Sequence, residues 1–425
     1  MLKEVTIQNY KSINQEVLFS MEADTERVSE YKDHILDING NKLLKVASMY
    51  GPNGGGKTNI LEALFLLKTI IFYNNQPSND ALSNVSCNFS NSNDISETVF
   101  FVTTNYEIGY KFIVSQTVSE QYMMDLNGTK KSILVNSFNF SYESVIFRKN
   151  NEEEFVVLFE RDLKGNINSP IFDSLSINYS KVINGSLSAV SYFYNTFVNV
   201  LNLNDSSFEV ISNLYKEISN IEVLEVTNVN VNVNVALKVI ETNKKKLINL
   251  LNDVDIKISD IVINKDNRYA PIRFEREILI DGKKEKRQIS FKDESNGTKK
   301  IFWMFVNLLN ENMNNRIFLC DDMNAYLHPK LFKSIVEIFN SSSNINKQLI
   351  FNSHDIINMT NELFRRDEIW FVYRDENYST KLVPLSNIVN YKGEQVRKDA
   401  KYYKQYLEGK YGADPFIKKG LSWND

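Results

Sequence analysis

The stretch that decides the fold is Gly51-Pro-Asn-Gly-Gly-Gly-Lys-Thr58. It matches the pattern GxxxxGK[ST], in which backbone N–H groups and a helix N-terminus surround an anionic phosphate. An apolar run, 43–50, precedes this loop, and a second apolar run with helical character, 60–71, follows it. Strand, glycine loop and helix form the context that the pattern requires. The sequence therefore predicts a P-loop (residues 51–58) that binds a nucleotide.

Two side chains of the P-loop have an expected role in binding the nucleotide. Lys57 neutralises the β- and γ-phosphates, and Thr58 holds Mg²⁺. An isolated match of this kind also occurs in glycine-rich turns that carry an exposed lysine, so further motifs are needed. The residues that we expect to contact the nucleotide here are Asn53, Gly54, Gly55, Gly56, Lys57, Thr58 and Asn59.

Composition limits the class of protein. The chain has 425 residues, of which 43% are hydrophobic, and this is enough for two or three domains. A formal net charge of -4 gives no global basicity for nucleic acid, and two cysteines give no disulfide framework. The charged N-terminus is not a signal peptide, and no apolar stretch reaches the length of a membrane span. We therefore expect a cytoplasmic protein that does not enter a membrane.

Periodicity predicts the order of the elements. Alternating residues at 3–9 and 16–21, and again at 98–104 and 106–114, favour two β-hairpins. Helical spacing dominates 186–252, and Asp281-Gly282 is typical of a hairpin turn. The alternating Asn and Val residues of 227–235 favour either a short strand or a low-complexity loop. The tail, 396–411, is basic and is predicted to be helical.

An apolar run that ends in acids forms the second motif. Residues 317–320 read as a buried strand, and Asp321 and Asp322 follow directly. Such a strand places carboxylates at the edge of a sheet beside the P-loop. Asp321 would then bind Mg²⁺, and Asp322 would orient the attacking water. The alternative is an acidic turn after a core strand.

Two further motifs complete the pattern. Ser295-Asn-Gly297 opens a predicted helix, 301–309, and its donors could meet a γ-phosphate held by a second copy of the chain. Ordinary helix capping by Ser295 is the alternative, and it is compatible with phosphate contact. His354 follows a short buried strand, 348–351, and could donate a hydrogen bond to the γ-phosphate. A structural histidine is the alternative there.

Together these motifs resemble the Walker A, signature, Walker B and switch-histidine elements of ABC-type ATPase heads. The opening residues, 5–12, are similar to the first strand of SMC, RecF and Rad-fifty-like heads. The chain most resembles the OLD-like, RloA-type ATPases of abortive-infection loci, a broad group that includes the ATPase subunit of the PARIS anti-phage system. The segments that carry this resemblance are ESNGT at 294–298, DDMNAYLHP at 321–329 and YGADP at 411–415.

The resemblance implies an α/β fold. We expect an ABC-type P-loop ATPase head with a mixed sheet core, an antiparallel β lobe and a helical insertion or lid. The predicted domains are an N-terminal ATPase lobe at 1–160, a mainly helical insertion at 161–262 and a C-terminal ATPase lobe at 263–425.

The resemblance also implies a function. ATP and Mg²⁺ would be held between Lys57 and Thr58 of one protomer and Ser295 and Gly297 of another. The expected protein is an ATPase that forms a homodimer or a higher homo-oligomer through ATP. It would act as a sensor and scaffold in anti-phage defence, together with a separate effector such as a nuclease. Nucleic acid is a possible partner.

Departures from the family pattern keep two alternatives open. Asp322 stands where the family usually has the catalytic glutamate, and its carboxylate is about 1.5 Å shorter in reach. Hydrolysis could therefore be slow, or the chain could be a non-hydrolysing scaffold that needs nucleotide only for its shape. A RecF-like or SMC-like DNA repair ATPase shares the fold, although no long heptad repeat predicts coiled-coil arms.

Other residues carry weaker expectations. Asn324 stands where the family often has an acid, and Gln76 and Gln116 are the candidates for the glutamine loop. Lys299 and Lys300, with the lysines of the tail, could form a basic surface for nucleic acid. Two further expectations are structural: a helix start shaped by His328, and a helix end at 253–255.

Overall fold

The computed structural model describes most of the chain. The residues that it describes are 1–24, 31–73, 77–78, 85–87, 89–124, 130–162, 164, 166–169, 185–198, 206–224, 233–264, 271–310, 315–389, 393, 395–397 and 399–413. Gln76, residues 227–232 of the alternating Asn and Val segment, and residues 414 and 415 of the YGADP segment lie outside these ranges. Within the described residues, no helix is both long and apolar enough to span a membrane.

Strands account for much of the described chain. Their bounds are β1 Leu2–Gln8, β2 Val17–Ser20, β3 Ile35–Ile38, β4 Asn41–Leu44, β5 Val46–Tyr50, β6 Pro77–Ser78, β7 Asp94–Val102, β8 Tyr106–Met124, β9 Lys130–Lys149, β10 Val156–Arg161, β11 Ile167–Asn168, β12 Ile221–Val223, β13 Asp260–Ile263, β14 Ile272–Ile280, β15 Lys283–Ser290, β16 Arg316–Cys320, β17 Lys347–Asn352, β18 Ile369–Arg374 and β19 Thr380–Pro384.

The first six α-helices lie between these strands, and the seventh follows β19. Their bounds are α1 Lys57–Phe72, α2 Ala189–Phe193, α3 Ser206–Ser219, α4 Val233–Asp253, α5 Asn296–Leu309, α6 Pro329–Asn340 and α7 Tyr402–Leu407. The helix predicted at 301–309 is confirmed as part of α5, and α4 ends at Asp253 as expected. The tail helix is shorter than predicted at both ends, and a left-handed glycine at 409 accounts for its end at Leu407.

A central sheet has the strand order β12-β16-β17-β5-β18-β19. Its first five strands are parallel, and β19 pairs antiparallel with β18. Every residue of β5 and β16 is buried, as expected for parallel strands covered on both faces. The ends of β16, β17 and β5 are neighbours, so the segments that follow them meet at one edge.

A second sheet is antiparallel, with the order β11-β10-β9-β8-β7-β1-β2, and β6 pairs with β9. Both predicted hairpins, β1 with β2 and β7 with β8, are confirmed. This sheet, α1 and one face of the central sheet share a hydrophobic core. The predicted combination of a mixed sheet and an antiparallel lobe is therefore confirmed.

A third sheet, β13-β14-β15, packs with α4 and α5 around a separate core. The predicted turn is confirmed: Asp281 and Gly282 have φ angles of 49° and 77°, which suit a type I′ hairpin. The predicted insertion, 161–262, contains α2, α3 and α4 and also β12, which joins the central sheet beside β16. The domain boundaries at 160 and 262 stay predictions.

Candidate nucleotide site

The P-loop connects β5 to α1 and packs against the far edge of the central sheet. A Cβ atom on Gly51 would lie 1.9 Å from the carbonyl oxygen of Val372. Gly56 has a φ of 108°, and a Cβ there would lie 2.2 Å from the hydroxyl of Thr380. Any larger residue would displace β18 or β19. The glycines are therefore needed both for the backbone path and for close packing.

Hydroxyl groups support the P-loop from behind. Thr380 Oγ1 donates to the Gly55 carbonyl at 3.1 Å and lies 2.7 Å from Ser12 Oγ. Asn59, predicted to contact nucleotide, donates through Nδ2 to the same Ser12 hydroxyl at 2.6 Å. The N-terminal hairpin loop and β19 thus hold the P-loop together. Asn53 and Gly54 lie at its exposed tip.

Lys57 is buried at the start of α1. Its ammonium donates to the carbonyls of Gly51 and Pro52, at 2.9 and 3.0 Å. Burial lowers the pKa of Lys57, whereas the charges of Asp322 and Asp321 oppose this shift. The lysine is therefore close to both acids, and its cation lies inside the curve of the P-loop.

Asp321 joins the P-loop to the end of β16. Thr58 Oγ1 donates to Asp321 Oδ1 at 3.0 Å, and Asn352 Nδ2 donates to the same oxygen. A hydroxyl and a carboxylate in contact form an oxygen donor pair of the kind that Mg²⁺ prefers. These residues therefore fit the predicted magnesium ion.

Asp322 and His354 face each other beside Lys57. His354 Nε2 lies 3.7 Å from Asp322 Oδ1, and both side chains are about half exposed. Burial lowers the pKa of His354, and the Lys57 charge lowers it further; Asp322 and Asp321 act in the opposite direction. Asp322 adopts a left-handed φ of 43°, which is uncommon outside glycine, asparagine and aspartate. A neutral imidazole and a carboxylate thus share one edge of the site.

Two asparagines that the sequence did not identify as site residues organise this edge. Asn352, at the buried end of β17, accepts the Asp322 N–H at 2.6 Å while it donates to Asp321. Asn324 Oδ1 accepts from the Ser353 hydroxyl at 2.9 Å and from the His354 N–H at 3.0 Å. The only signal in the sequence that could have identified Asn352 is its position, as a polar residue directly after the apolar run 348–351.

The signature residues lie at the start of α5. Ser295 caps this helix, because its Oγ accepts the Thr298 N–H at 3.1 Å. Ser295 and Asn296 are exposed. A Cβ on Gly297 would lie 2.6 Å from the Tyr326 carbonyl oxygen, so this glycine is in contact with the turn that follows β16. The structure therefore brings Lys57, Thr58, Asp321, Asp322 and His354 together, whereas Ser295 hydrogen-bonds within its own helix end.

The prediction of a basic surface is wrong for Lys300. Its side chain is 3% exposed, and its ammonium donates to main-chain carbonyls inside the protein. Helical periodicity explains the difference, because position 300 lies on the buried face of α5 beside Ile301. Lys299 Nζ donates to the Lys292 carbonyl at 2.6 Å.

The structure gives His328, Gln116 and the two cysteines defined positions. His328 is confirmed at the start of α6, where its Nδ1 accepts the Lys330 N–H at 3.2 Å. Gln116 lies on β8 and its side chain accepts the Val85 N–H at 2.8 Å, so it is placed in the antiparallel sheet. Cys320 and Cys87 are both buried free thiols, and burial raises the pKa of Cys320 to about 11.

Three of the solved structures to which the chain is similar are heads of SMC proteins. One is an SMC head bound to the C-terminal winged-helix domain of ScpA, at 12% identity and a TM-score of 0.43, with 90% of this chain and 96% of that chain covered. Another is the SMC head domain from Thermotoga maritima, at 12% identity and a TM-score of 0.38, with 90% and 98% covered. A third is an SMC head with an extended coiled coil, bound to the C-terminal domain of ScpA from Pyrococcus furiosus, at 11% identity and a TM-score of 0.39, with 90% and 95% covered.

A family model also matches the chain. Its description reads "AAA domain, putative AbiEii toxin, Type IV TA system", and the match covers residues 46–358. That range includes the P-loop, Ser295, both acids and His354. No curated protein sequence matches the chain. Because the family match covers more than half of its length, the chain belongs to this AAA domain family of nucleotide-binding ATPases.

Proposed function

We propose that this chain binds ATP with Mg²⁺ and hydrolyses it at the site formed by the P-loop, Asp321, Asp322 and His354. The observation that carries the proposal is the 3.0 Å contact between Thr58 and Asp321. It joins the phosphate-binding loop to the acidic end of β16, with a cation and a histidine beside it. This is the donor arrangement that phosphoryl transfer requires.

Each residue has a proposed role. Lys57 and the backbone N–H groups of residues 53–59 bind the phosphates. Thr58 and Asp321 would hold Mg²⁺, which would neutralise phosphate charge. Asp322 orients the attacking water, because its carboxylate is exposed beside Lys57. His354 is favoured in its neutral form, so one ring nitrogen can donate to the γ-phosphate.

The proposed assembly places the nucleotide between two protomers. Ser295 and Asn296 are exposed at the N-terminus of α5, where a helix offers N–H donors to an anion. Ser295 and Gly297 would therefore meet the γ-phosphate held by the P-loop of a second copy. ATP would act as a switch for a homodimer or a higher homo-oligomer.

The proposed biological role is anti-phage defence in the cytoplasm. The name of the family refers to a toxin of a toxin–antitoxin system. The resemblance of segments 294–298, 321–329 and 411–415 to OLD-like, RloA-type and PARIS ATPases supports the same role. The chain would act as the sensor and scaffold, and a separate effector such as a nuclease would carry out the attack. Nucleic acid is a candidate partner.

A non-hydrolysing scaffold is the second candidate, and Asp322 favours it. The aspartate has a shorter side chain than glutamate, and a displacement of about 1 Å in a catalytic group can cost roughly 100-fold in rate. In that case ATP binding without hydrolysis would determine whether the protomers associate. A RecF-like or SMC-like repair ATPase differs from both in requiring ATP-dependent affinity for DNA.

Turnover of ATP by matched variants tests the proposal. We expect slow but measurable hydrolysis by the wild type, faster hydrolysis by Asp322→Glu, and loss of nucleotide binding by Lys57→Ala. Lys283→Ala, in the exposed strand β15, is the control for loss of a lysine. Absence of turnover in both the wild type and Asp322→Glu, with ATP bound, would favour the scaffold. Absence of ATP binding in calorimetry would overturn both candidates.

A further inference from the structure

Lys300 is a buried cation whose task is not explained by helix packing. It lies on α5 one turn after Gly297, and only 3% of its side chain is exposed. Burial lowers the pKa of its ammonium, whereas Cys320, Asp322 and Asp321 oppose this effect, in that order. A lysine in such a place is costly unless its ammonium is hydrogen-bonded. Its partners therefore indicate what it does.

Those partners belong to the turn that carries Asp322. Lys300 Nζ donates to the Asp322 carbonyl at 2.9 Å and to the Ala325 carbonyl at 3.3 Å. The Asp322 carbonyl also accepts the Ala325 N–H at 2.8 Å. On its other side, the Asp322 N–H donates to Asn352. The main chain of Asp322 is thus held from β17 by an amide and from α5 by an ammonium.

A second contact joins the same helix to the same turn. Gly297 lies against the Tyr326 carbonyl so closely that a Cβ would be only 2.6 Å away. Both Asp322 and Tyr326 have left-handed φ angles, 43° and 63°. Such a turn persists only where its surroundings impose it. The N-terminal end of α5, from Gly297 to Lys300, therefore holds both ends of the turn from 322 to 326.

We propose that Lys300 is a positioning residue that links the signature helix of a protomer to the water-orienting acid of the same protomer. This inference rests on the proposed function, in which Ser295 of α5 contacts the nucleotide of the second copy. When ATP engages the N-terminus of α5, Lys300 transmits the position of the helix to Asp322. Each protomer then aligns its own acid only while its helix is engaged by the other protomer.

The test compares two adjacent lysines on one helix. Lys300→Met removes the ammonium and keeps the apolar stem, and Lys299→Met is the matched control. We expect Lys300→Met to lower kcat by roughly 10- to 100-fold, with KM for ATP and ATP-dependent dimerisation unchanged. Lys299→Met keeps wild-type kcat. Lys300→Arg recovers part of the rate, because a guanidinium can reach the same carbonyls.

The outcomes separate this inference from the function on which it rests. Equal kcat for Lys300→Met and Lys299→Met, in a wild type that hydrolyses ATP, overturns the inference alone. A parallel loss of ATP binding also overturns it, since that would indicate a purely structural lysine. A wild type without turnover overturns the inference together with the hydrolytic function. If Lys300→Met fails to fold by circular dichroism, Lys300→Gln replaces it. The amide nitrogen of glutamine is one bond, about 1.5 Å, shorter in reach than the lysine ammonium, so it loses the contacts with both carbonyls, and an unchanged kcat overturns the inference.

Discussion

At the scale of single residues, the site depends on main-chain atoms and on supporting residues that lie outside the sequence motifs. The conformation of the P-loop depends on contacts behind it, from Val372 and Thr380, as well as on the hydrogen bonds of its own Lys57. The orientation of Asp322 is set by hydrogen bonds to its main chain. Substitutions in these supporting residues should therefore alter catalysis without touching the nucleotide.

Gly56 and Gly54 offer a matched pair for the P-loop. Both have positive φ angles, so alanine costs about 1–2 kcal/mol at either position. At Gly56 a Cβ would also collide with Thr380, whereas at Gly54 no atom lies within 4 Å. We expect Gly56→Ala to unfold at a lower urea concentration than Gly54→Ala and to lose ATP binding. Equal urea midpoints of unfolding for the two variants would show that the contact with Thr380 does not contribute to stability.

The charge of Lys57 should be detectable at His354. The folded pKa of His354 is lowered, first by burial and then by Lys57. A base with a lowered folded pKa resists protonation, so the folded state loses stability as the pH falls below the unfolded value of about 6.5. We expect Lys57→Met to raise the pKa of His354 toward its ordinary value in an NMR titration of the ring. The same titration in Lys283→Met should match the wild type.

At the scale of elements, α5 connects the site to the third core. Phe302 is fully buried, and its ring lies 4.6 Å from that of Phe291 and 5.5 Å from that of Phe274. Phe302→Ala should therefore destabilise the fold by about 3–5 kcal/mol. Leu279→Ala, at a position 73% exposed on β14, should stay within about 0.5 kcal/mol of the wild type. Denaturant unfolding measures both, and similar losses would contradict the assigned core.

Much of this level of structure could be predicted from the sequence. The hairpins, β16 and β17 follow from alternating or continuous apolar runs, and the P-loop pattern places β5 and α1. The part that could not be predicted depends on long-range contacts. Lys300 was expected at the surface because local sequence does not reveal a partner for its ammonium. The carbonyls that it contacts are 22 and 25 residues away along the chain. Asn352 likewise acquires its role only when β17 pairs with β16.

At the scale of the whole molecule, the proposed site needs two copies of the chain. Lys57→Ala should inactivate one half of the composite site and Ser295→Arg the other half. A heterodimer of these two variants contains one intact site, formed by Lys57 of one protomer and Ser295 of its partner. Mixing the two variants should therefore restore about a quarter of the ATP that the wild-type dimer retains between its protomers, given random pairing. Failure of the mixture, despite heterodimers in native mass spectrometry, would contradict a shared site.

The burial of both cysteines has a practical consequence. Since Cys87 and Cys320 are inaccessible and the thiol pKa of Cys320 is about 11, maleimide dyes should leave the folded wild type unlabelled at neutral pH. A single introduced thiol can then carry a fluorophore with no background. Ile357, 68% exposed and three residues beyond His354, is a suitable position. Quenching between two such dyes would follow the meeting and parting of protomers in real time, turnover by turnover.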